Sequence, residues 1–325
     1  MKIVFFGTPA FAASNMEFLH KKGIEISVVV SAPDKQKGRG KKIIPTAVKV
    51  KANELGINVL TPFSLKDETF ISELKSIDAN LFVVVAFRML PKEIWKIPKM
   101  GTINLHTSLL PNYRGAAPIN RVLINGETET GITTFFIDGE IDCGKILEQE
   151  KVSLSGDTTA AQLHNLLRDK GSDLLLKTID KIENQITKTI IQNSDLAISE
   201  APKLTKELSK INWEINAKEI HNLIRGLSPI LSENEILKEV SICPSAWFNF
   251  KVNDKEIRTK LLLSKFSDKT NNKIGKIETD NKTYLKINLK KGSIFIEKLQ
   301  IAGKNAVNIS QFLLGNKVDE SWTVS

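Results

Sequence analysis

Short apolar runs alternate with helical patterns through the first half of the chain. The runs KIVFF, EISVVVS, INVL, LFVVVAF and GTINLH are almost continuous in apolar residues, and segments with a helical pattern, such as residues 11–22 and 46–55, separate them. Near-continuous apolar strands joined by helices are typical of a parallel sheet that helices cover on both faces. The pattern therefore predicts an α/β fold with a Rossmann-like parallel sheet.

The second half of the chain changes character. A helical pattern over residues 158–186 precedes a polar stretch that lacks periodicity, and the short strand patterns FNFKV, EIRTKLLLSKF, KIGKIE, KTYLKINL and GSIFIEKLQ follow it. Strands of this length and spacing predict a small β-rich, OB-like barrel. We therefore expect a first domain over residues 1–190, a linker over residues 191–210 and a C-terminal OB-like domain over residues 211–325.

Composition narrows the class of protein. The chain has 325 residues, 41% of them hydrophobic, and 46 basic against 37 acidic side chains give a net charge of +9. Residues 206–325 hold 20 basic and 14 acidic side chains, which is +6 of that total. This balance fits a polyanionic partner, and it also fits a solvated lysine-rich surface.

Several classes of protein are disfavoured. The two cysteines, Cys143 and Cys243, form no CxxC pair, and the four histidines lack HExxH spacing, so we expect no metal. The longest apolar run, residues 81–87, is too short to cross a bilayer, and the N-terminus lacks a signal-peptide pattern. These features predict a soluble cytoplasmic protein.

The stretch GTINLHTSLLPNYRGAAP, residues 101–118, carries the strongest candidate chemistry. Asn104 and His106 lie two positions apart on a predicted strand, so they share one face of the sheet. In open α/β sheets the site lies beyond the carboxyl ends of the strands, where both residues would lie. An amide donor beside an imidazole is a candidate reaction centre.

Three further loops carry residues that could bind a ligand or take part in catalysis. FFGTPAFAAS has one glycine where a dinucleotide site would show GxGxxG, which disfavours a nicotinamide cofactor. PDKQKGRGKK is either a surface insertion or a phosphate-binding loop, in which Lys37, Arg39, Lys41 and Lys42 would contact phosphates.

The segment FFIDGEIDCGKIL supplies three acidic residues, Asp138, Glu140 and Asp142. It is either a solvated or calcium-binding turn, or the source of a carboxylate that orients a nearby imidazole. The spacing along the chain does not decide between these alternatives.

Together these segments resemble a known family. FGTPAFA, KGRGKK, NLHTSLLPNYRGAAPI, ETGITTFFIDGEIDCG and LQIAGKNAVNISQFLLG are similar to the methionyl-tRNA formyltransferases, from residue 1 to about residue 315. The core NxH…SLLPxxRG…DxG by itself places the chain among formyltransferases that use 10-formyltetrahydrofolate. The resemblance implies a transferase of translation initiation, with initiator methionyl-tRNA and 10-formyltetrahydrofolate as substrates, acting as a monomer.

The resemblance also implies roles for particular residues. Asn104 would donate a hydrogen bond to the tetrahedral oxyanion, His106 would donate another or shuttle a proton, and Asp142 would hold the imidazole. The residues matching the family's folate contacts are Ser108, Leu109, Leu110 and Pro111. The residues implied in tRNA binding are Lys37, Arg39, Lys41, Lys42, Lys203 and Lys206.

The chain departs from the family pattern in three places. Residues 86–91, AFRMLP, lack a glycine that much of the family has before this LP; Cys143 replaces a frequent threonine; and the segment 229–246 is longer than usual. Two rival functions stay open: a formyltransferase acting on a small amine, such as a sugar nucleotide or glycinamide ribonucleotide, and a non-catalytic RNA-binding module.

Overall fold

The computed structural model describes residues 1–37, 42–239, 242–253, 255–269 and 274–325. The chain forms two compact units, each built from three separate stretches. The first unit comprises Met1–Gly115, Thr130–Val152 and Asn165–Glu200, and the second comprises Ala116–Glu129, Ser153–His164 and Ala201–Ser325. The second unit thus takes in two stretches that precede residue 190, whereas the predicted domains are continuous. The predicted boundaries at residues 190 and 210 stay a prediction.

The elements of the first two hundred residues follow in chain order: β1 (Lys2–Gly7), α1 (Ala10–Lys21), β2 (Glu25–Val30), β3 (Lys35–Lys37), β4 (Lys42–Ile44), α2 (Ala47–Glu54), β5 (Asn58–Leu60), α3 (Glu68–Ser76), β6 (Leu81–Val85), α4 (Lys92–Trp95), β7 (Thr102–His106), β8 (Arg114–Gly115), α5 (Pro118–Ile124), β9 (Glu129–Phe136), β10 (Ile146–Ser153), α6 (Ala160–Glu183) and β11 (Glu200–Ala201). A short 3₁₀ helix spans Ser194–Leu196.

A seven-stranded sheet forms the centre of the first unit, in the order β10-β9-β7-β6-β1-β2-β5. Parallel pairing joins β7 to β6, β6 to β1, β1 to β2 and β2 to β5. On its other side, β7 pairs antiparallel with β9. All five residues of β6 are buried, as the continuous apolar run LFVVV predicts for a strand covered on both faces. The predicted Rossmann-like parallel sheet is confirmed, with an antiparallel extension at one edge.

Helix α6 packs closely on the strand that carries Asn104 and His106. A Cβ atom added at Gly171 would lie 2.7 Å from Leu105 Cδ2, so a larger residue there would force the Leu105 side chain to move. Further along α6, the hydroxyl groups of Thr178 and Thr134 share a 2.8 Å hydrogen bond between the helix and β9. This close packing holds β7 and β9 in place beneath the candidate site.

The remaining elements belong to the second unit: α7 (Ala217–Leu227), β12 (Ile230–Ser232), β13 (Glu235–Ile236), β14 (Ala246–Val252), β15 (Lys255–Ser267), β16 (Ile277–Thr279), β17 (Leu285–Asn288), β18 (Ser293–Ile301), β19 (Val307–Asn308), α8 (Ile309–Gly315) and β20 (Thr323–Val324).

An antiparallel, barrel-like sheet dominates the second unit, in the order β16-β17-β18-β15-β14-β20, with β19 paired to β18. Its apolar face packs with α7 and α8 in one core that includes Phe248, Phe250, Ile220 and Phe312. The predicted β-rich barrel-like fold is confirmed. The long segment 229–246 contains the antiparallel hairpin of β12 and β13.

Candidate active site

The carboxyl end of β7 presents Asn104 and His106 beside two neighbouring strands. Asn104 is opposite Val84 of β6, and His106 is opposite Thr133 of β9. His106 is 6% exposed, whereas Asn104 is half-buried. The alternation of side chains along β7 directs both residues to the same face, as the sequence predicts.

Backbone geometry selects the tautomer of His106. Its Nε2 atom lies 2.8 Å from the carbonyl oxygen of Tyr113. Because a carbonyl oxygen only accepts hydrogen bonds, Nε2 must carry the proton and donate it. In the neutral ring, Nδ1 is then the atom with a free lone pair, and it is the ring nitrogen available for proton exchange.

Asp142 faces this nitrogen. Its Oδ2 atom lies 3.7 Å from His106 Nδ1, and the same oxygen accepts a 2.9 Å hydrogen bond from the backbone N–H of Gly115. Asp142 has a φ of 55°, in the left-handed region that non-glycine residues adopt with strain. The structure therefore brings His106 and Asp142 together across 36 residues of chain, although their spacing alone does not indicate contact.

The other two acidic residues of this loop, unlike Asp142, are exposed to solvent. Asp138 and Glu140 are exposed, and Asp138 Oδ1 accepts a 3.0 Å hydrogen bond from the backbone N–H of Glu140. Among the described residues, no group of three histidine, cysteine or acidic side chains is arranged to hold a metal ion. Burial raises the pKa of the neighbouring Cys143 thiol, so this side chain adds no negative charge beside Asp142 near neutral pH.

The predicted folate segment follows directly after β7. Ser108 is fully buried, and its hydroxyl donates to the carbonyl oxygen of Asn112 at 2.7 Å. Thr133 donates to the Ser108 carbonyl at 2.7 Å and accepts from the Leu110 N–H at 3.2 Å. Gln149 donates to the Leu110 carbonyl at 2.9 Å. These bonds hold the backbone of the segment in one conformation.

The two leucines of that segment differ in burial. Leu110 is 3% exposed and packs in a small core with Phe135 and Ile146, whereas Leu109 and Pro111 are half-buried. Arg88, in the loop after β6, donates to the carbonyl oxygen of Phe63 at 3.0 Å and to that of Pro62. Arg88 thus supports the segment before α3 through its backbone.

The predicted tRNA-binding residues are only partly within the described structure. Lys203 and Lys206 are exposed in the second unit. Arg39 and Lys41 lie outside the described residues, and so do the side chains of Lys37 and Lys42. The strands on either side, β3 and β4, pair antiparallel.

Sequence reasoning missed four residues that hold the site together: Tyr113, Thr133, Gln149 and Gln192. Tyr113 acts through its carbonyl group, which every residue has, so no signal in the sequence marks it. Thr133 and Gln149 are polar residues on the strands β9 and β10, and the residue type alone does not show that Thr133 is fully buried or that Gln149 bonds the Leu110 carbonyl. Gln192 falls in the predicted linker but is 9% exposed.

Comparison with known proteins decides the family. The family described as "Formyl transferase" matches residues 1–179, and "Formyl transferase, C-terminal domain" matches residues 203–317. The methionyl-tRNA formyltransferase of Flavobacterium johnsoniae is 42% identical to this chain over 316 residues, which is 97% of this chain and 96% of that protein. The chain belongs to the methionyl-tRNA formyltransferase family. The protein of that name from Parabacteroides distasonis is 40% identical over 331 residues, with 100% of this chain and 98% of the relative covered.

Solved structures show the same fold at lower identity. An N-formyltransferase from Helicobacter canadensis, in complex with folinic acid and dTDP-3-aminofucose, matches with a TM-score of 0.63 at 23% identity, covering 91% of this chain and 98% of that one. HypX from Aquifex aeolicus in complex with tetrahydrofolic acid matches with a TM-score of 0.61 at 17% identity, covering 98% of this chain and 50% of that one. The resemblance described from the sequence motifs is confirmed at the level of the family.

None of the helices in the described parts of the chain combines the length and the apolar content needed to span a membrane.

Proposed function

We propose that the protein transfers the formyl group of 10-formyltetrahydrofolate to the α-amine of initiator methionyl-tRNA, with Asn104, His106 and Asp142 as its catalytic residues. The observation that carries the proposal is the approach of Asp142 Oδ2 to within 3.7 Å of His106 Nδ1 at the strand end that also bears Asn104. This arrangement supplies a hydrogen-bond donor and a proton relay at one place, which is what formyl transfer between two nitrogen atoms requires.

The attack of the amine on the formyl carbon converts the carbonyl oxygen to an oxyanion. The side-chain amide of Asn104 would donate a hydrogen bond to that oxygen, and a donor of this kind stabilises the transition state more than the ground state. When His106 is cationic, its Nδ1–H provides a second donor, since Nε2 is held by the Tyr113 carbonyl.

The reaction also moves one proton. The attacking amine loses a proton when the new carbon–nitrogen bond forms, and N10 of the folate gains one when the old bond breaks. His106 Nδ1 would accept the proton of the amine, and Asp142 would stabilise the cationic ring through its negative charge. Return of this proton to N10 restores the neutral ring and balances the transfer.

The proposal assigns the formyl donor to the segment formed by Ser108, Leu109, Leu110 and Pro111. Its backbone is held by Thr133 and Gln149, so it is rigid before a ligand arrives. Leu109 and Pro111 are the half-buried residues of the segment and would provide apolar contact for a pterin ring.

The proposal assigns the tRNA backbone to basic side chains of the second unit. Lys203 and Lys206 are exposed there. Nearby in sequence, Lys210 Nζ lies 5.7 Å from the ring centroid of Trp247, and Arg258 Cζ lies 3.7 Å from the same centroid on the barrel-like sheet. A surface of cations around an aromatic ring suits contact with phosphates and exposed bases.

The first test of tRNA recognition concerns Arg39. We expect Arg39→Ala to raise the KM for methionyl-tRNA by about 10-fold, because a charge-assisted hydrogen bond to phosphate contributes on the order of 1.5–3 kcal/mol. The KM for 10-formyltetrahydrofolate should change by less than about twofold. Steady-state kinetics with each substrate varied in turn measures both values. Lys35→Ala, which removes one charge from the exposed start of β3, is the matched control; equal effects of both variants would contradict a specific role for Arg39.

The second test concerns the second unit and uses the salt dependence of tRNA binding. The double variant Lys203→Ala/Lys206→Ala should make the negative slope of log affinity against log salt concentration shallower by about 1.8, since each phosphate contact contributes about −0.9. Lys282→Ala/Lys304→Ala removes the same charge from two other exposed positions of the unit. If both double variants change the slope equally, net charge and not a defined surface governs binding.

Substitutions test the role of the second unit in tRNA binding better than removal of all residues after 205, because removal would also disturb earlier stretches of the chain. Within the second unit, Asn120 donates to the carbonyl oxygens of Gly226 and Ile242 at 2.7 Å, and Thr159 donates to that of Ile230 at 2.6 Å. A truncated chain would lose these partners of the stretches 116–129 and 153–164.

One assay separates the proposed function from its rivals. Purified protein is incubated with 10-formyltetrahydrofolate and either initiator methionyl-tRNA, an amino sugar nucleotide or glycinamide ribonucleotide, and formylated product is measured. Formylation of methionyl-tRNA alone supports the proposal. Turnover of a small amine instead would favour a formyltransferase that acts on small amines, and tRNA binding without any turnover would favour an RNA-binding module.

We also propose that the protein is cytoplasmic and acts as a monomer. Sedimentation of the purified protein tests the oligomeric state.

A further inference from the structure

A buried glutamine connects the two segments that meet at the candidate catalytic residues. Gln192 Oε1 accepts hydrogen bonds from Arg114 Nε at 3.1 Å and Nη2 at 2.7 Å. Its Nε2 donates to the carbonyl oxygens of Asp142 and Gly144, both at 2.8 Å. The amide group therefore uses both of its donors and both lone pairs of its oxygen.

The partners allow only one orientation of this amide. A guanidinium group only donates hydrogen bonds and a carbonyl oxygen only accepts them, so the reversed amide would place donor against donor and acceptor against acceptor. With 9% of its surface exposed, Gln192 has little access to compensating water. The four bonds consequently act as one rigid connection.

This connection reaches Asp142 from two sides. Gln192 binds the carbonyl oxygen of Asp142 directly, and it also binds the guanidinium of Arg114, the residue before Gly115, whose N–H donates to Asp142 Oδ2 at 2.9 Å. Gly144 adds close packing, since a Cβ atom there would lie 1.6 Å from the carbonyl oxygen of Phe136. One end of the amide thus binds the backbone of the Asp142 loop, and the other end binds the residue next to the backbone donor of the Asp142 carboxylate.

We infer that Gln192 is a positioning residue of the transfer reaction: it sets the distance between Asp142 Oδ2 and His106 Nδ1 without touching either substrate. The inference rests on the proposed function of these two residues. Because Asp142 has a strained backbone with φ of 55°, the loop requires outside bonds to keep the carboxylate at this place. Misplacement of a reacting group by about 1 Å can lower a rate by about 100-fold.

Two substitutions of Gln192 test the connection. Gln192→Met keeps the length and removes all four hydrogen bonds, whereas Gln192→Glu keeps the acceptor for Arg114 and loses the donors to Asp142 and Gly144. We expect both to lower kcat for formylation of methionyl-tRNA by at least about 10-fold, with the KM of each substrate within about twofold of the original. Asn193→Ala is the matched control, because it removes only the 3.0 Å bond from the N–H of Asp195 in an exposed turn.

A double-mutant cycle with Asp142→Asn distinguishes positioning from a general structural role. If Gln192 acts through Asp142, adding Gln192→Glu to Asp142→Asn should lower kcat by less than about twofold further. Multiplication of the two effects, or wild-type kcat in Gln192→Glu, would overturn the inference while leaving the proposed function in place. Wild-type kcat in Asp142→Asn alone would instead remove the proposed role of Asp142, and with it this inference. Thermal unfolding of every variant identifies any that does not fold. If Gln192→Met does not fold, Gln192→Glu still tests the inference.

Discussion

Replacing His106 or Asn104 by alanine should lower kcat for formylation of methionyl-tRNA by about 100-fold or more, because removal of one oxyanion donor commonly costs on the order of 3 kcal/mol of transition-state stabilisation. For His106 the proton relay is lost as well. Backbone groups make the pairing of β7 with β6 and β9, so the sheet should persist in both variants. His106→Ala loses one further hydrogen bond, the one from Nε2 to the Tyr113 carbonyl. The measurement is single-turnover kinetics with purified, folded variants.

The chain provides matched controls for these two variants. His20 lies exposed in the last turn of α1, and Asn53 lies exposed in α2. His20→Ala and Asn53→Ala should retain turnover within about twofold of the original. Near-original turnover in folded His106→Ala or Asn104→Ala would exclude that residue from the mechanism, and the other would have to carry the oxyanion alone.

Asp142→Asn should lower kcat by about 100-fold, which is within the range for loss of a group that assists proton transfer. Asparagine has nearly the same size as aspartate, and its oxygen can still accept the hydrogen bond from the N–H of Gly115. The substitution therefore removes the negative charge beside His106 Nδ1 and leaves the loop in place. Rates of formyl transfer at saturating concentrations of both substrates measure the effect.

Asp138→Asn is the control that separates the effect of the position of the Asp142 carboxylate from the effect of the total charge of the loop. Asp138 belongs to the same acidic loop but is exposed and bonds only locally, to the N–H of Glu140. It should retain kcat within about twofold. Equal losses in the two variants would mean that the total charge of the loop matters, and the particular contact between Asp142 and His106 would then lose its proposed role.

Sequence patterns identified the apolar strands and the long helix of the first unit. Each of the five apolar runs corresponds to a strand, β1, β2, β5, β6 and β7. In β1 and β6, which lie inside the sheet, almost every residue is buried, and residues buried on both faces must be apolar along the strand. The helical pattern over residues 158–186 corresponds to α6, Ala160–Glu183, although its Leu166 is 40% exposed. Periodicity reports which faces are buried, and it does so without reference to distant parts of the chain.

The candidate site could be predicted only in part. Asn104 and His106 share a face because side chains alternate along any strand, and the motifs around them indicated the family. The pairing of His106 with Asp142 required the path of β9 and the loop after it. The approach of Gln192 to Arg114 spans 78 residues, and the sequence around Gln192 resembles a polar linker.

The sequence by itself determined the α/β sheet, the β-rich second half, the membership of the family and the strand face that bears Asn104 and His106. Only the tertiary structure decided that the stretches 116–129 and 153–164 belong to the second compact unit, that Tyr113 selects the tautomer of His106, and that Gln192 holds the Asp142 loop. The physical reason is the same in each case. Periodicity and motif spacing are properties of neighbouring residues, whereas backbone carbonyls and buried amides acquire their partners from the path of the chain in space.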